Sequence, residues 1–169
     1  MHAIGWPEGF IPGFTDNFAS NEMIVAGLSA ENIWPLVSYP ERWPTYYDNA
    51  GKIEFHNNAG PELKVGDRFR FDTFGFPVEC EVVEATPPKG DQPGRISWHG
   101  WSGDGEDLLD VHHAWIIENL EGGRVRILTQ ETQNGKPAKE LAQETPNPMV
   151  NGHQNWLEGL VGAARKDSA

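Results

Sequence analysis

The chain has 169 residues, a length that favours one domain with a substantial core. Thirteen Lys and Arg against twenty-five Asp and Glu leave a formal net charge of −12, which argues against nucleic-acid and anionic-membrane partners. Nineteen Gly and thirteen Pro indicate many turns, whereas a hydrophobic fraction of 38% with seven Trp excludes a disordered chain. The single cysteine, Cys80, excludes an internal disulfide and any multi-cysteine zinc site and fits a reducing compartment.

An irregular N-terminal arm is predicted over about residues 1–16. Gly5, Pro7 and Pro12 interrupt this segment, which has neither the basic region nor the apolar run of a signal peptide. No run of about 18 apolar residues occurs anywhere, so no membrane span is expected. We therefore expect a cytoplasmic protein with a single domain over residues 1–169, either a monomer or a homodimer.

The first predicted elements are a strand and two short helices. Asn17–Leu28 is predicted to be a strand, and Ser29 then caps a helix with Asn32 at its third position. Pro35 and Pro40 keep that helix short. A second short helical piece is predicted over Glu41–Tyr47.

Six further strands follow, separated by turns rich in Gly and Pro, and they predict an antiparallel meander. They are Lys52–His56, Arg68–Asp72, Val78–Ala85, Arg95–Gly100, Leu108–Leu120 and Arg124–Gln133. Pro137–Glu144 then predicts a weak helical turn, and Met149–Lys166 a long helix. Apolar and aromatic residues recur along this helix every three or four positions and predict one face packed on the sheet: Met149, His153, Trp156, Leu160, Ala163 and Ala164. A curved sheet closed by one helix leaves a space in which a ligand can bind.

Several segments resemble the SRPBCC, or START-related, superfamily. AENIWPLV at 30–37 and PERWP at 40–44 resemble its helix pair, and NGHQNWL at 151–157 resembles its closing helix. KVGDRF at 64–69, RISWHG at 95–100, HAWII at 113–117 and residues 123–135 are similar to strands of its polyketide cyclase/dehydrase-like branch. The resemblance spans about residues 20–165. It implies an α+β helix-grip fold, in which a curved seven-stranded antiparallel sheet wraps around a long C-terminal helix and encloses a mostly apolar cavity.

The resemblance leaves three functional hypotheses open, because members of this superfamily have diverse roles. The first is the binding of a small hydrophobic molecule, aromatic, polyketide-like or lipid-like, in the cavity. The second is a cyclase/dehydrase-type lyase or isomerase that uses a His/Glu acid-base pair without a cofactor. The third is a modulator that acts through its surface.

Strand alternation selects His113 and Glu131 as the candidate polar site. Val111, His113 and Trp115 share one face of their strand, and a hairpin at 121–123 brings His113 close to Glu131 or Thr129. Such a pair could transfer a proton, position a ligand, or only satisfy buried polarity. Burial would raise the pKa of Glu131 and lower that of His113, whereas a contact between their charged forms would act oppositely.

Large side chains are candidates for the cavity wall, although each could equally pack in the core. The predicted ligand-binding residues are Trp98, Trp115, Phe69, Phe71, Ile117, Ile127, Thr129 and Trp156. The predicted mouth, on the two short helices, consists of Trp34, Trp43, Tyr46 and Tyr47.

No metal site is expected from the sequence. His112 and His113 are neighbours on a strand and point to opposite faces, so they cannot bind one ion together. His99 and His153 could join one of them only if the fold happened to bring them together. No Ser-based or thiol-based catalytic motif and no nucleotide-binding motif is present.

Overall fold

The computed structural model describes residues 1–169 and contains seven β-strands and three α-helices. The strands are β1 (Asn17–Ala26), β2 (Ala50–Phe55), β3 (Arg68–Thr73), β4 (Phe76–Thr86), β5 (Gly94–Ser102), β6 (Leu109–Leu120) and β7 (Arg124–Asn134). The helices are α1 (Ala30–Ser38), α2 (Lys136–Gln143) and α3 (Pro148–Asp167), and 3₁₀ helices cover Pro40–Thr45 and Gly105–Asp107. All predicted strands and helices are present near their predicted bounds. None of the helices combines the length and apolar character needed to cross a membrane.

The seven strands form one antiparallel sheet in the order β1-β7-β6-β5-β4-β3-β2. From β2 to β7 each strand pairs with the next one along the chain, and β1 returns to pair with β7. The long helix α3 lies against β1 and α1. This α+β arrangement confirms the predicted helix-grip fold.

Local sequence signals explain where α1 begins and ends. The Ser29 side chain accepts a hydrogen bond from the Asn32 backbone N–H, and the Asn32 side chain accepts one from the Ser29 N–H, so the predicted capping box is present. The expectation that Pro35 limits the helix is wrong, because α1 continues through it. The helix ends at Ser38, since Pro40 favours the extended conformation that Tyr39 adopts.

The apolar face of α3 is buried as its periodicity predicts. Met149, His153, Trp156 and Leu160 are all buried, as is Ala164, whereas Ala163 is half-buried. Asn147 caps the helix by accepting a hydrogen bond from the Met149 N–H. The face therefore places a histidine and a tryptophan, one turn apart, over the sheet.

Aromatic side chains fill much of the space between the sheet and α3. The ring of Trp43 lies 5.2 Å from that of Phe71, 5.3 Å from Trp98 and 5.1 Å from Trp156, measured between centroids. The ring of Tyr47 also stacks on Trp156, at 4.6 Å. The resemblance implies an open interior, but these rings fill most of it. The space that remains lies where Trp98 and Trp156 face β6 and β7.

The irregular N-terminal arm crosses the outer face of the sheet. Trp6 and Phe10 contact the ring of His112, with centroids 5.6 and 6.0 Å away. The Phe10 carbonyl accepts a hydrogen bond from Thr132, and the His2 carbonyl accepts one from Arg126. The arm therefore covers β6 and β7 on the side opposite α3.

Candidate functional site

A small inner cavity of about 50 Å³ lies between α3 and the strands β3 to β7. Its wall is formed by aromatic rings and by several polar side chains. The wall includes Phe71, Trp98, Trp101, Val111, His113, Glu131, Gln133, His153 and Trp156. A volume of this size is enough for a few water molecules or for the polar head of a ligand, but not for a whole ligand of drug size.

A larger outer pocket of about 320 Å³ adjoins the inner cavity and is almost entirely apolar. Five residues border both spaces: Thr73, Phe74, Val78, Ser102 and Leu109. The outer pocket extends to Phe76, Pro137, Leu141 and Met149 at the end of the sheet near α2. The apolar outer pocket therefore lies next to the polar inner cavity.

Phe74 borders both spaces, and its backbone has a strained conformation. It forms the β3–β4 turn with Gly75, and its φ of 50° is unusual for a bulky residue. Its ring fits against α3 at Gly152, where an added Cβ would lie 2.4 Å from Phe74 Cζ. The absence of a side chain at Gly152 therefore makes room for this ring.

The hairpin of β6 and β7 places His113 directly opposite Glu131. The His113 Nε2 atom lies 2.7 Å from the Thr129 hydroxyl, and its Nδ1 atom lies 3.7 Å from Glu131 Oε1. Both predicted neighbours of His113 are therefore confirmed. His113 and Glu131 have only 2% and 6% of their surface exposed, so both groups are removed from bulk water.

Burial determines the protonation of this group of side chains. It raises the pKa of Glu131 to about 8, an effect that a hydrogen bond from Gln133 only partly offsets. Burial also holds the pKa of His113 well below its usual range, assisted by His153 and His112, and it lowers the pKa of His153 to about 4. At 3.7 Å the imidazole and the carboxyl do not form a close ion pair, so the effect of burial outweighs their attraction.

His153 is a member of the site that the sequence did not identify. From α3 it stacks on the ring of His113, with centroids 4.6 Å apart, and its Nε2 atom lies 3.8 Å from Glu131 Oε2. Its position on the buried face of α3, one turn before Trp156, was the only sequence signal. The expectation that His153 lies apart from the other candidate ligands is wrong, because α3 docks directly over β6 and β7.

The predicted ligand-binding residues divide into two groups. Phe71, Trp98 and Trp156 border the inner cavity. The other five are buried but border neither space: Phe69, Trp115, Ile117, Ile127 and Thr129. Phe69, Trp115 and the two isoleucines pack in the core between the strands and the helices, while Thr129 supports His113 through its hydroxyl.

The predicted mouth on the short helices is wrong. Trp43 is completely buried, and its indole donates a hydrogen bond to the Val37 carbonyl. Trp34 and Tyr47 are also buried, and Tyr46 is fixed by a hydrogen bond from its hydroxyl to the Leu36 carbonyl. These rings are needed to fill the core under α1 and the following 3₁₀ helix.

The opening lies instead at the other end of α3, beside Phe74, Phe76 and Leu109. Sequence patterns did not indicate this opening, because Phe74 and Phe76 flank the β3–β4 turn, Leu109 begins β6, and only the fold brings them together.

The two adjacent histidines of β6 point to opposite faces, as predicted. His113 borders the inner cavity, whereas His112 lies under Trp6 and Phe10 of the arm. His99 forms a pair with Asp110, 2.5 Å away, and takes no part in the inner group. The site therefore consists of His113, Glu131 and His153, which we call the inner triad.

Comparison with known proteins finds no matching family model and no matching curated protein. The hypothetical protein jhp0584 from Helicobacter pylori is 48% identical, with 97% of each chain covered and a TM-score of 0.92. The chain belongs to the same family as jhp0584.

Two more distant structures share the fold of this jhp0584 family. Norcoclaurine synthase from Thalictrum flavum has a TM-score of 0.62 and 14% identity, covering 90% of this chain and 96% of that one.

The di-domain ARO/CYC protein BexL of the BE-7585A biosynthetic pathway has a TM-score of 0.58 and 13% identity. The alignment covers 85% of this chain and 45% of BexL, as expected for one domain of two. At these identities the likeness shows the fold alone. It agrees with the SRPBCC-like fold that the sequence resemblance implies.

Proposed function

We propose that this protein binds a small, mostly apolar molecule that carries one polar group. The observation that carries the proposal is that the outer apolar pocket shares five lining residues with the cavity of the inner triad. The apolar body would occupy the outer pocket, and the polar group would reach past Phe74 to His113 and Glu131. A volume of about 320 Å³ lies within the range of ligand pockets, about 300–1,000 Å³.

The chemistry of the inner end favours a neutral polar group, either an acceptor such as a carbonyl or a group that both donates and accepts, such as an enol or phenol. His113 and His153 are neutral imidazoles, and the raised pKa of Glu131 leaves it mostly protonated at pH 7. The triad can therefore both donate and accept a hydrogen bond. An anionic ligand would approach a chain of net charge −12, which disfavours it.

The structural neighbours add support by analogy. One is a norcoclaurine synthase mutant in complex with a transition-state analogue, and another is the ARO/CYC protein BexL. Both names fit the idea that this fold holds small organic molecules, and BexL fits the polyketide cyclase/dehydrase-like branch that the sequence resembles. A polyketide-like or other aromatic ligand is accordingly our preferred class.

Fluorescence titration with the neutral dye N-phenyl-1-naphthylamine tests the proposal. Leu109→Trp places a bulky ring where the outer pocket meets the inner cavity, and we expect it to weaken dye binding at least about tenfold. Val65→Trp adds the same side chain to an exposed loop and serves as the matched control. Equal dye affinity in the wild type, Leu109→Trp and Val65→Trp would contradict the proposal.

An enzyme with His113 and Glu131 as acid and base is the second candidate. The observation that favours it is that both groups border the inner cavity, where a bound carbonyl group would lie. His113→Ala and Glu131→Gln should then abolish an aldol-type cyclisation while dye affinity stays within about tenfold. Equal loss of binding and rate would indicate ligand positioning instead. No observation favours the surface modulator.

A further inference from the structure

His153 is a buried imidazole without a hydrogen-bond partner. Only 2% of the residue is exposed, yet its Nδ1 atom has no partner, and its Nε2 atom stands 3.8 Å from Glu131 Oε2, beyond hydrogen-bond distance. Buried polar groups are nearly always satisfied, and an exception calls for an explanation. The ring borders the inner cavity, so a partner there could satisfy it.

His113 and Glu131 border the same cavity as His153, and the three side chains are spaced closely enough to surround one ion. One ligand atom from each residue of the inner triad can be chosen so that all three lie within 4.8 Å of one another. His113 Nδ1 and Glu131 Oε1 are 3.7 Å apart. Two ligands of a tetrahedral ion with bonds of about 2.0–2.2 Å are separated by about 3.3–3.5 Å, so small side-chain shifts would close the site.

Neighbouring polar groups already hold two of the three side chains in orientation. The Thr129 hydroxyl lies 2.7 Å from His113 Nε2, which leaves Nδ1 free to act as a ligand. Gln133 donates a hydrogen bond to Glu131 Oε2. The His153 ring is stacked on His113 and its Nδ1 atom has no hydrogen bond, so binding would require only that the ring leave this stacked position.

We propose that His113, Glu131 and His153 bind one divalent transition-metal ion, with a further coordination position open to the inner cavity. Two imidazole nitrogens and one carboxylate oxygen suit Zn²⁺ or Co²⁺ and disfavour Ca²⁺ and Mg²⁺, which prefer oxygen ligands. Three protein ligands leave room for a water molecule or a ligand oxygen in the cavity of about 50 Å³.

This inference deepens the proposed function, because a bound ion would displace the proton from Glu131, and the polar group of the ligand would then meet the ion instead of the protonated acid. It does not require that ligand in order to be tested. Metal binding can be measured without the dye, and dye binding can be measured in the presence of a chelator.

Equilibrium dialysis of the chelator-treated full chain against Zn²⁺ tests the metal site. We expect one Zn²⁺ per chain with a dissociation constant of about 1 μM or lower. Co²⁺ should bind at the same place, produce visible absorption bands typical of nitrogen and oxygen ligands, and be displaced by Zn²⁺. Failure of the wild-type chain to bind stoichiometric Zn²⁺ would overturn the proposal.

The variants His153→Gln and Glu131→Gln remove one ligand each while preserving most of the side-chain volume. Each should weaken Zn²⁺ binding at least about 100-fold. The matched control is His56→Gln, which removes a histidine from an accessible pair with Glu79 at 2.8 Å. Unchanged Zn²⁺ affinity in both triad variants, or an equal loss in His56→Gln, would overturn the proposal.

Circular dichroism and dye binding of the same variants separate loss of the metal from loss of the fold. His153→Gln should keep the native circular dichroism spectrum, and the control His56→Gln should keep both that spectrum and dye binding. Dye binding without Zn²⁺ binding in the wild type refutes the metal site alone. Zn²⁺ binding without dye binding supports the metal site and refutes the apolar ligand.

Discussion

The hairpin of β6 and β7 carries two cross-strand pairs of acidic and basic residues, one on each face of the sheet. On the outer face Glu118 is opposite Arg126, and on the inner face Glu131 is opposite His113. Arg126 Nε and Nη1 lie 2.5 Å from Glu22 and 2.9 Å from Glu118, whereas the inner pair stands 3.7 Å apart. The outer pair is thus closed by direct hydrogen bonds, and the inner pair is not.

The surroundings of the two pairs differ in the same way. His2 of the arm completes the outer pair by contacting both Glu118 and Arg126. The inner pair faces a cavity and a histidine without a hydrogen bond. Because unsatisfied buried polarity costs stability, we infer that the outer pair supports the fold, whereas the inner pair keeps polar atoms free for the proposed ligand.

Breaking the outer pair should have the largest effect on stability. Arg126→Met leaves Glu118 buried without its cationic partner, and we expect the free energy of unfolding to fall by about 3 kcal/mol. Arg124→Met, two residues earlier and exposed, should change it by less than about 0.5 kcal/mol. Urea unfolding at pH 7 measures both, and equal losses would refute the structural role of the outer pair.

A substitution that disturbs the tight packing around the inner cavity should have the next largest effect on stability. Gly152→Ala forces a methyl group against the Phe74 ring and should lower the free energy of unfolding by about 2 kcal/mol. Gly162→Ala, ten residues later on α3, meets no atom within 4 Å and should raise it by about 0.5–1 kcal/mol through helix propensity. Thermal unfolding of the two variants checks this difference in sign. A stabilising Gly152→Ala would show that Phe74 is not packed there.

Replacing the inner acid should have a smaller effect of opposite sign. Folding raises the pKa of Glu131 from 4.5 to about 8, so at pH 7 the group must take up a proton to fold, at a cost in stability. The shift corresponds to a cost of about 3 kcal/mol at pH 7, and Glu131→Gln removes it. Because the new buried amide also needs hydrogen-bond partners, we expect a net stabilisation of the metal-free chain of about 1 kcal/mol. The gain should shrink toward pH 4.5, where the unfolded chain is also protonated. Urea unfolding with a chelator measures it, and a loss of stability at pH 7 would contradict the proposed contrast.

Sequence patterns predicted most of the fold because they are local. Alternation and turns located the strands, and the Ser29 capping box located α1. The His113–Glu131 contact was predictable for the same reason, since one hairpin turn fixes the register of β6 and β7. The cytoplasmic location and the lack of a nucleic-acid partner remain predictions from composition.

The rest of the site depends on how distant elements dock. His153 joins the triad only because α3 lies over the sheet, and Phe74 reaches the cavity only because Gly152 leaves space on that helix. Trp43 was misplaced at a mouth because the sequence does not reveal which aromatic rings the core requires. Long-range packing therefore determined each of these positions.

Imidazole ¹⁵N–¹H correlation spectra with and without N-phenyl-1-naphthylamine show whether a bound ligand reaches the inner triad. The chain has six histidines, whose signals can be assigned from single His→Gln variants. If the inner triad forms the end of the ligand pocket, bound dye will shift the signals of His113 and His153 and leave that of His112, on the opposite face, unchanged. Bound dye that shifts His112 and leaves His113 and His153 unchanged would contradict the account.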